Sequence, residues 1–111
     1  MVDDRSFTYR GRIKVSKGDL AMAATGKKIC TIRRGTARVE GDMIDLTNGK
    51  DRLRVRILSV QIILYRDLTD EHARWEGFAG IEELRNDLAT YYRAIEDQQP
   101  VTIIKFERRD H

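Results

Sequence analysis

Hydrophobic and polar positions alternate weakly over residues 6–15, with Phe7 and Tyr9 before Gly11 and with Ile13 and Val15 after it. This pattern predicts one strand, bent at the glycine. Ser16 then offers an N-cap for a short helix, and Asp19 stands where a capping-box carboxylate would sit. Residues 20–24 are good helix formers, and Gly26 is the stop. Residues 28–33 read as a strand with Ile29, Thr31 and Arg33 on one face and Cys30 and Ile32 on the other. Lys28 has the wrong parity to join Thr31 unless it sits before the strand proper, in the turn after Gly26.

Residues 34–38 read as a loop, Glu40-Gly41-Asp42 as a turn and 43–46 as a short strand. Asn48-Gly49-Lys50-Asp51 is the strongest hairpin signal in the chain. The return strand runs long, over about 53–65. Leu53, Val55 and Ile57 share one parity, while Leu58, Val60, Ile62 and Leu64 share the other, so the switch predicts a bulge or a barrel crossing. Thr69 is set to cap a short helix that carries Asp70 and Glu71 in its first turn and stops at Gly77. A second helix is predicted over 81–95 from the spacing of Ile81, Leu84, Leu88, Tyr91, Tyr92 and Ile95. After Pro100, the β-branched run 101–106 reads as a buried strand. Residues 1–4 and 107–111 are expected to be loose ends. The order β-α-β-β-β-α-α-β has no regular crossovers. It predicts an α+β fold, a small mixed or antiparallel β-barrel with flanking helices.

Composition sharpens this picture only in part. The 111 residues fit a single domain, 1–111, and the hydrophobic share of 41% is enough for one core. Charged residues make up 35%, yet the net charge is only +3. Cations crowd residues 5–38, whereas 67–97 is acid-rich, so a basic face and an acidic face are expected. The single cysteine, Cys30, has no internal disulfide partner and suits a reducing compartment. No apolar run reaches the roughly 18 residues of a membrane span, and the N-terminus lacks the apolar core of a signal peptide. A cytoplasmic protein with no membrane partner is expected.

The chemistry concentrates in Gly26-Lys27-Lys28-Ile29-Cys30-Thr31-Ile32-Arg33, eight residues that combine cations and a hydroxyl with positions fit for burial. It is not a phosphate loop, because position 21 is Ala and Lys28 replaces the Ser or Thr. Cys30, His72 and His111 cannot close a zinc site, so no metal or other cofactor is called for. Cys30 sits in an apolar alternation and reads as a buried structural thiol rather than a nucleophile. The basic half admits nucleic acid, with Phe7, Tyr9 and Tyr65 available for stacking, as readily as it admits a merely solvated surface. Glu76 ends a helix, where the dipole disfavours a carboxylate, so either a lysine or a ligand holds it or it is a plain surface residue.

The same eight residues resemble the signature G-x-K-x-x-T-x-R of ASCH domains, relatives of the PUA RNA-binding fold. Gly41-Asp42 resembles that family's Gly-Asp turn. Asp67-Leu68-Thr69-Asp70-Glu71-His72-Ala73-Arg74-Trp75-Glu76-Gly77-Phe78 resembles its segment D-L-T-x-x-x-A-x-x-E-G-F. The similarity extends over about 7–107. It implies a PUA-like barrel with a cleft between the signature strand and the acidic helix, and a modified nucleoside or RNA as partner. A small bacterial member hydrolyses the acetyl amide of N(4)-acetylcytidine with a lysine, a threonine and a glutamate. By motif position these correspond to Lys28, Thr31 and Glu76, with Arg33, Lys27 and Trp75 as substrate-binding residues. In this scheme Thr31 is the nucleophile and Lys28 its base, and Glu76 holds the cytosine edge or passes a proton. An ion pair of Lys28 with Glu76 is the competing arrangement. It would leave a binding module for RNA, and a ribonuclease is a third reading. The Arg/Lys-rich first strand is no part of the shared signature.

Overall fold

The computed structural model describes residues 6–109; the loose ends expected at 1–4 and 110–111 lie outside that range. The elements follow in the order β1 (Ser6–Lys14), α1 (Lys17–Ala24), β2 (Cys30–Arg34), β3 (Thr36–Thr47), β4 (Arg52–Leu64), a single 3-10 turn (Tyr65–Asp67), α2 (Asp70–Trp75), α3 (Ile81–Tyr91) and β5 (Pro100–Arg108). The five strands form one curled mixed sheet, a half-barrel, in the order β1-β3-β4-β5-β2. Only β1 and β3 run parallel; the other pairs are antiparallel.

β5 is the spine of the molecule. It is hydrogen-bonded to β4 on one side and β2 on the other, and Val101, Thr102, Ile103, Ile104 and Phe106 are all buried. Ile104 and Phe106 join Ile13, Val15, Leu20, Ile44, Leu46 and Val55 in one core. Val101 and Ile103 join Cys30, Ile32, Leu68, Ala73, Leu84 and Leu88 in a second core, under α2 and α3. Burial on both faces explains why this segment lacks alternation in the sequence.

Local chemistry accounts for most boundaries. Ser16 Oγ accepts from the Asp19 amide at 3.0 Å and starts α1, while Gly26, at φ +82°, ends the helix turn. Asn48 Oδ1 accepts from the amides of Lys50 and Asp51 and folds the β3–β4 hairpin. The register of β4 against β5 shifts between Ile57 and Ser59, where the parity of the hydrophobic positions switches.

Four sequence expectations need correction. Residues 36–38 and the Glu40-Gly41-Asp42 triplet are not loop and turn but part of the continuous strand β3. Gly41, at φ +83°, sits where β3 slips against β1, between the pairs Arg10↔Glu40 and Arg12↔Asp45. A left-handed glycine marks a bulge as readily as a turn, which is why the two look alike in sequence. The first residue of β2 is Cys30, not Lys28. α3 stops at Tyr91 rather than continuing to 95. Glu107 and Arg108 belong to β5, and Arg108 Nη1 donates to the Ala24 carbonyl, so they are not part of a loose tail.

Candidate functional site

The turn between α1 and β2 holds Lys28 from several directions. The amides of Lys27 and Lys28 both donate to the Met22 carbonyl, at 2.9 and 3.2 Å. The Ile29 amide donates to the Trp75 carbonyl at 2.7 Å, and the Ile29 carbonyl accepts from the Phe106 amide at 2.9 Å. The turn is thereby tied to α1, α2 and β5 together. Lying before the strand, Lys28 escapes the strand parity and reaches the side of Thr31.

Glu76 arrives from the other end of the chain. Thr69 caps α2 by accepting from the His72 amide, and His72 Nδ1 accepts in return from the Thr69 amide at 3.0 Å. Glu76 is the C-cap, and Gly77, at φ +95°, turns the chain away. The Phe78 amide donates to the Ala73 carbonyl and the Gly77 amide to the Arg74 carbonyl, both at 2.9 Å, which is the Schellman pattern. A carboxylate at this helix end is opposed by the dipole. The compensation is local: Glu76 Oε1 accepts from Lys28 Nζ, and Oε2 accepts from the Ile32 amide at 2.8 Å. Asp19 stands 3.9 Å from the same ammonium.

Thr31 and Arg33 point the same way from β2. Arg33 Nε donates to Thr31 Oγ1 at 3.2 Å. Its Nη2 donates to the Lys14 carbonyl at 2.8 Å, and the guanidinium lies 5.8 Å from the Tyr9 ring centre. Since β1 and β2 are the two edges of the sheet, Arg33 spans the gap in the half-barrel.

These groups line a cleft of about 500 Å³, a size usual for small-molecule sites. Lys28, Thr31 and Glu76 are 3%, 4% and 4% exposed and form its floor. Val15, Ile32, Leu88, Tyr91 and Tyr92 supply apolar wall, and Lys14, Ser16, Asp19 and Asp87 supply polar rim. Burial pushes the Glu76 carboxyl up, against the pull of the Lys28 charge. Burial, with Asp19 nearby, also raises Asp87. Burial and the Glu76 carboxylate push the Cys30 thiol well up, and its side chain is enclosed in the core.

Of the six residues singled out from sequence, four line the cleft: Lys28, Thr31, Glu76 and Arg33. Lys27 is exposed and outside the lining. Trp75 is half-buried and stacks under the Lys105 ammonium at 4.1 Å and beside His72, also outside the lining. Asp19, Asp87 and Tyr91 belong to the cleft without having been singled out for it. Asp19 carried only a capping signal and Tyr91 a core-face signal, yet Tyr91 is 59% exposed. Asp87 had no sequence signal at all.

No protein-family model matches the chain, and no curated protein does. Solved structures do. An ASCH domain from Lactobacillus crispatus JV V101 superposes with a TM-score of 0.68 at 16% identity, over 93% of this chain and 79% of that one. The hypothetical protein PH0355 gives 0.63 at 19% identity, over 95% of this chain and 100% of that one. Protein EF3133 from Enterococcus faecalis V583 gives 0.56 at 17% identity, over 82% and 72%. At such identities the likeness is one of fold. The molecule is a small α+β, PUA-like half-barrel. More narrowly, it has the fold of an ASCH domain. Among the described residues, no helix is long and apolar enough to cross a membrane.

Proposed function

We propose that the protein hydrolyses the N(4)-acyl amide of acetylcytidine-type nucleosides, with Thr31 as nucleophile. The observation that carries this reading is the convergence of Lys28, Thr31 and Glu76 on one cleft floor. An amide needs a nucleophile, a base and a donor for the leaving amine. Thr31, which accepts from Arg33, offers the nucleophile, and Lys28, paired with Glu76, offers the base and donor. Burial raises the Glu76 carboxyl against the pull of the Lys28 charge, and hydrolysis by this route uses Lys28 as the base.

Thr31 Oγ1 attacks the acyl carbon, and its proton passes to Lys28. The tetrahedral adduct collapses, the C–N bond breaks, and the exocyclic amine leaves with the proton from Lys28. Water then attacks the Thr31 ester, releasing the carboxylic acid and restoring the hydroxyl. Arg33 Nε, already donating to Oγ1, stabilises negative charge on that oxygen when it departs from the acyl group.

The Lys28–Glu76 ion pair supports a second reading. With the proton held on Lys28, the cleft binds without catalysis, and Lys28 and Arg33 serve as anion contacts. Product formation separates the two. Thr31→Ala should lower cytidine release from N(4)-acetylcytidine by about a thousandfold and leave unfolding unchanged. Full activity in that variant would rule out the Thr31 mechanism.

A further inference from the structure

A second, wider cleft of about 550 Å³ lies on the outer face of the half-barrel. Its cations come from Arg10, Arg12 and Lys14 of β1 and from Arg52 of β4, against one carboxylate, Asp45. The sheet register explains the clustering. Arg12 pairs with Asp45, which pairs with Arg54; Lys14 pairs with Thr47, which pairs with Arg52. Paired residues project to the same face, and the intervening Ile13 and Leu46 are buried on the other, with Leu53 packed against them. Asp45 is satisfied by Arg54 at 3.2 Å and Arg52 at 3.7 Å, and Glu40 by Arg10 at 3.2 Å. No described carboxylate pairs with Arg12 or Lys14. The lining thus sets four cations against a single carboxylate, in a chain whose net charge is only +3.

This groove adjoins the candidate active site at Lys14. Lys14 lines both clefts, and its carbonyl accepts from Arg33, the residue beside Thr31. Thr31 lies at a floor that is 4% exposed, so a base can reach it only when unstacked and turned inward. The flanking phosphates would then follow β1 over Lys14 and Arg12 toward Arg52.

We propose, resting on the hydrolase reading above, that the preferred substrate is an acylated cytidine within a single RNA strand, whose phosphodiester backbone is held by Arg12, Lys14 and Arg52. The free nucleoside lacks those phosphates and is the poorer substrate.

The test compares N(4)-acetylcytidine with an oligoribonucleotide of about ten nucleotides, a usual single-strand site size, carrying one such base. Wild type and Arg12→Gln/Arg52→Gln are run side by side. The wild-type kcat/KM should favour the oligonucleotide by about tenfold or more, and the double variant should reduce that ratio about fivefold. A wild-type ratio near one, or a ratio unmoved by the double variant, overturns the proposal. If neither substrate is hydrolysed, the hydrolase reading fails, and the groove is judged by anisotropy of a labelled, unmodified oligoribonucleotide. Binding whose salt slope is about 1.4 smaller in the double variant, at about 0.7 per phosphate contact, upholds the groove. Binding that is absent, or equal in both proteins, overturns it. Equally effective displacement of the oligonucleotide by polyglutamate would mean a surface for acidic peptides and would also overturn it.

Discussion

Lys28 and Glu76, 48 positions apart in the chain, meet as a buried ion pair on the floor of a cleft. Each answers a problem posed by the other. Glu76 ends α2, where the dipole opposes it, and Lys28 has almost no water around it. Removing one partner strands the other. Glu76→Leu should destabilise the fold by about 3–5 kcal/mol in urea unfolding. The double variant Lys28→Met/Glu76→Leu should recover most of this. It should remain about 1–3 kcal/mol below wild type, because the Ile32 amide loses its acceptor. Additive losses in the double variant would contradict the pairing.

Gly77 lets the chain leave Glu76 in a left-handed conformation. A Cβ there would also lie 3.3 Å from Met22 Sδ and 3.4 Å from the Lys27 carbonyl, in the turn that carries Lys28. The sulfur can move, but the backbone conformation cannot. Gly77→Ala should lower stability by about 1–2 kcal/mol and shift Glu76 enough to reduce kcat. An unchanged melting temperature would contradict this account of the turn.

The cap of α2 should be sensitive to acid. His72 Nδ1 accepts from the Thr69 amide, which requires an unprotonated nitrogen. Burial holds the imidazole below its ordinary value, so the unfolded chain binds the proton more readily. The stabilisation is complete above the unfolded value of about 6.5 and is lost as pH falls through the lower folded value. Glu76 and Asp87 are raised and gain with falling pH, so the informative quantity is a difference. The melting temperature of wild type minus that of His72→Gln should shrink as pH drops below about 6.5. A constant difference would contradict the cap.

Cys30 should be inert in the folded protein. The thiol is fully enclosed, and burial and the Glu76 carboxylate hold its titration well above the ordinary value, which suppresses the reactive thiolate. Thiol reagents should neither label native protein nor alter turnover, and labelling should appear only with unfolding. Rapid native labelling would place Cys30 outside the core.

Local signals carried much of the fold. The Ser16 and Thr69 caps, the Asn48-Gly49 hairpin and the parity switch at Ile57 and Leu58 each involve neighbours in sequence, and each appears in the structure. Gly41 reads as a turn in sequence and is a bulge in the structure, because positive φ serves both alike. Within the site, Lys28, Thr31, Arg33 and Glu76 were legible through motif likeness, since no periodicity joins β2 to the end of α2. The same likeness includes Lys27 and Trp75, which are next to lining residues in sequence but outside the lining itself. Asp19 and Asp87 reach the cleft from α1 and α3 through tertiary packing alone, which leaves no mark on local pattern.

The most direct measurement is chromatography of N(4)-acetylcytidine after incubation with the purified protein, with Lys28→Met alongside as control. Cytidine should accumulate with wild type and stay near the uncatalysed level with the variant. Intact substrate in both reactions would contradict hydrolysis at the Lys28–Thr31–Glu76 floor and leave a cleft that only binds.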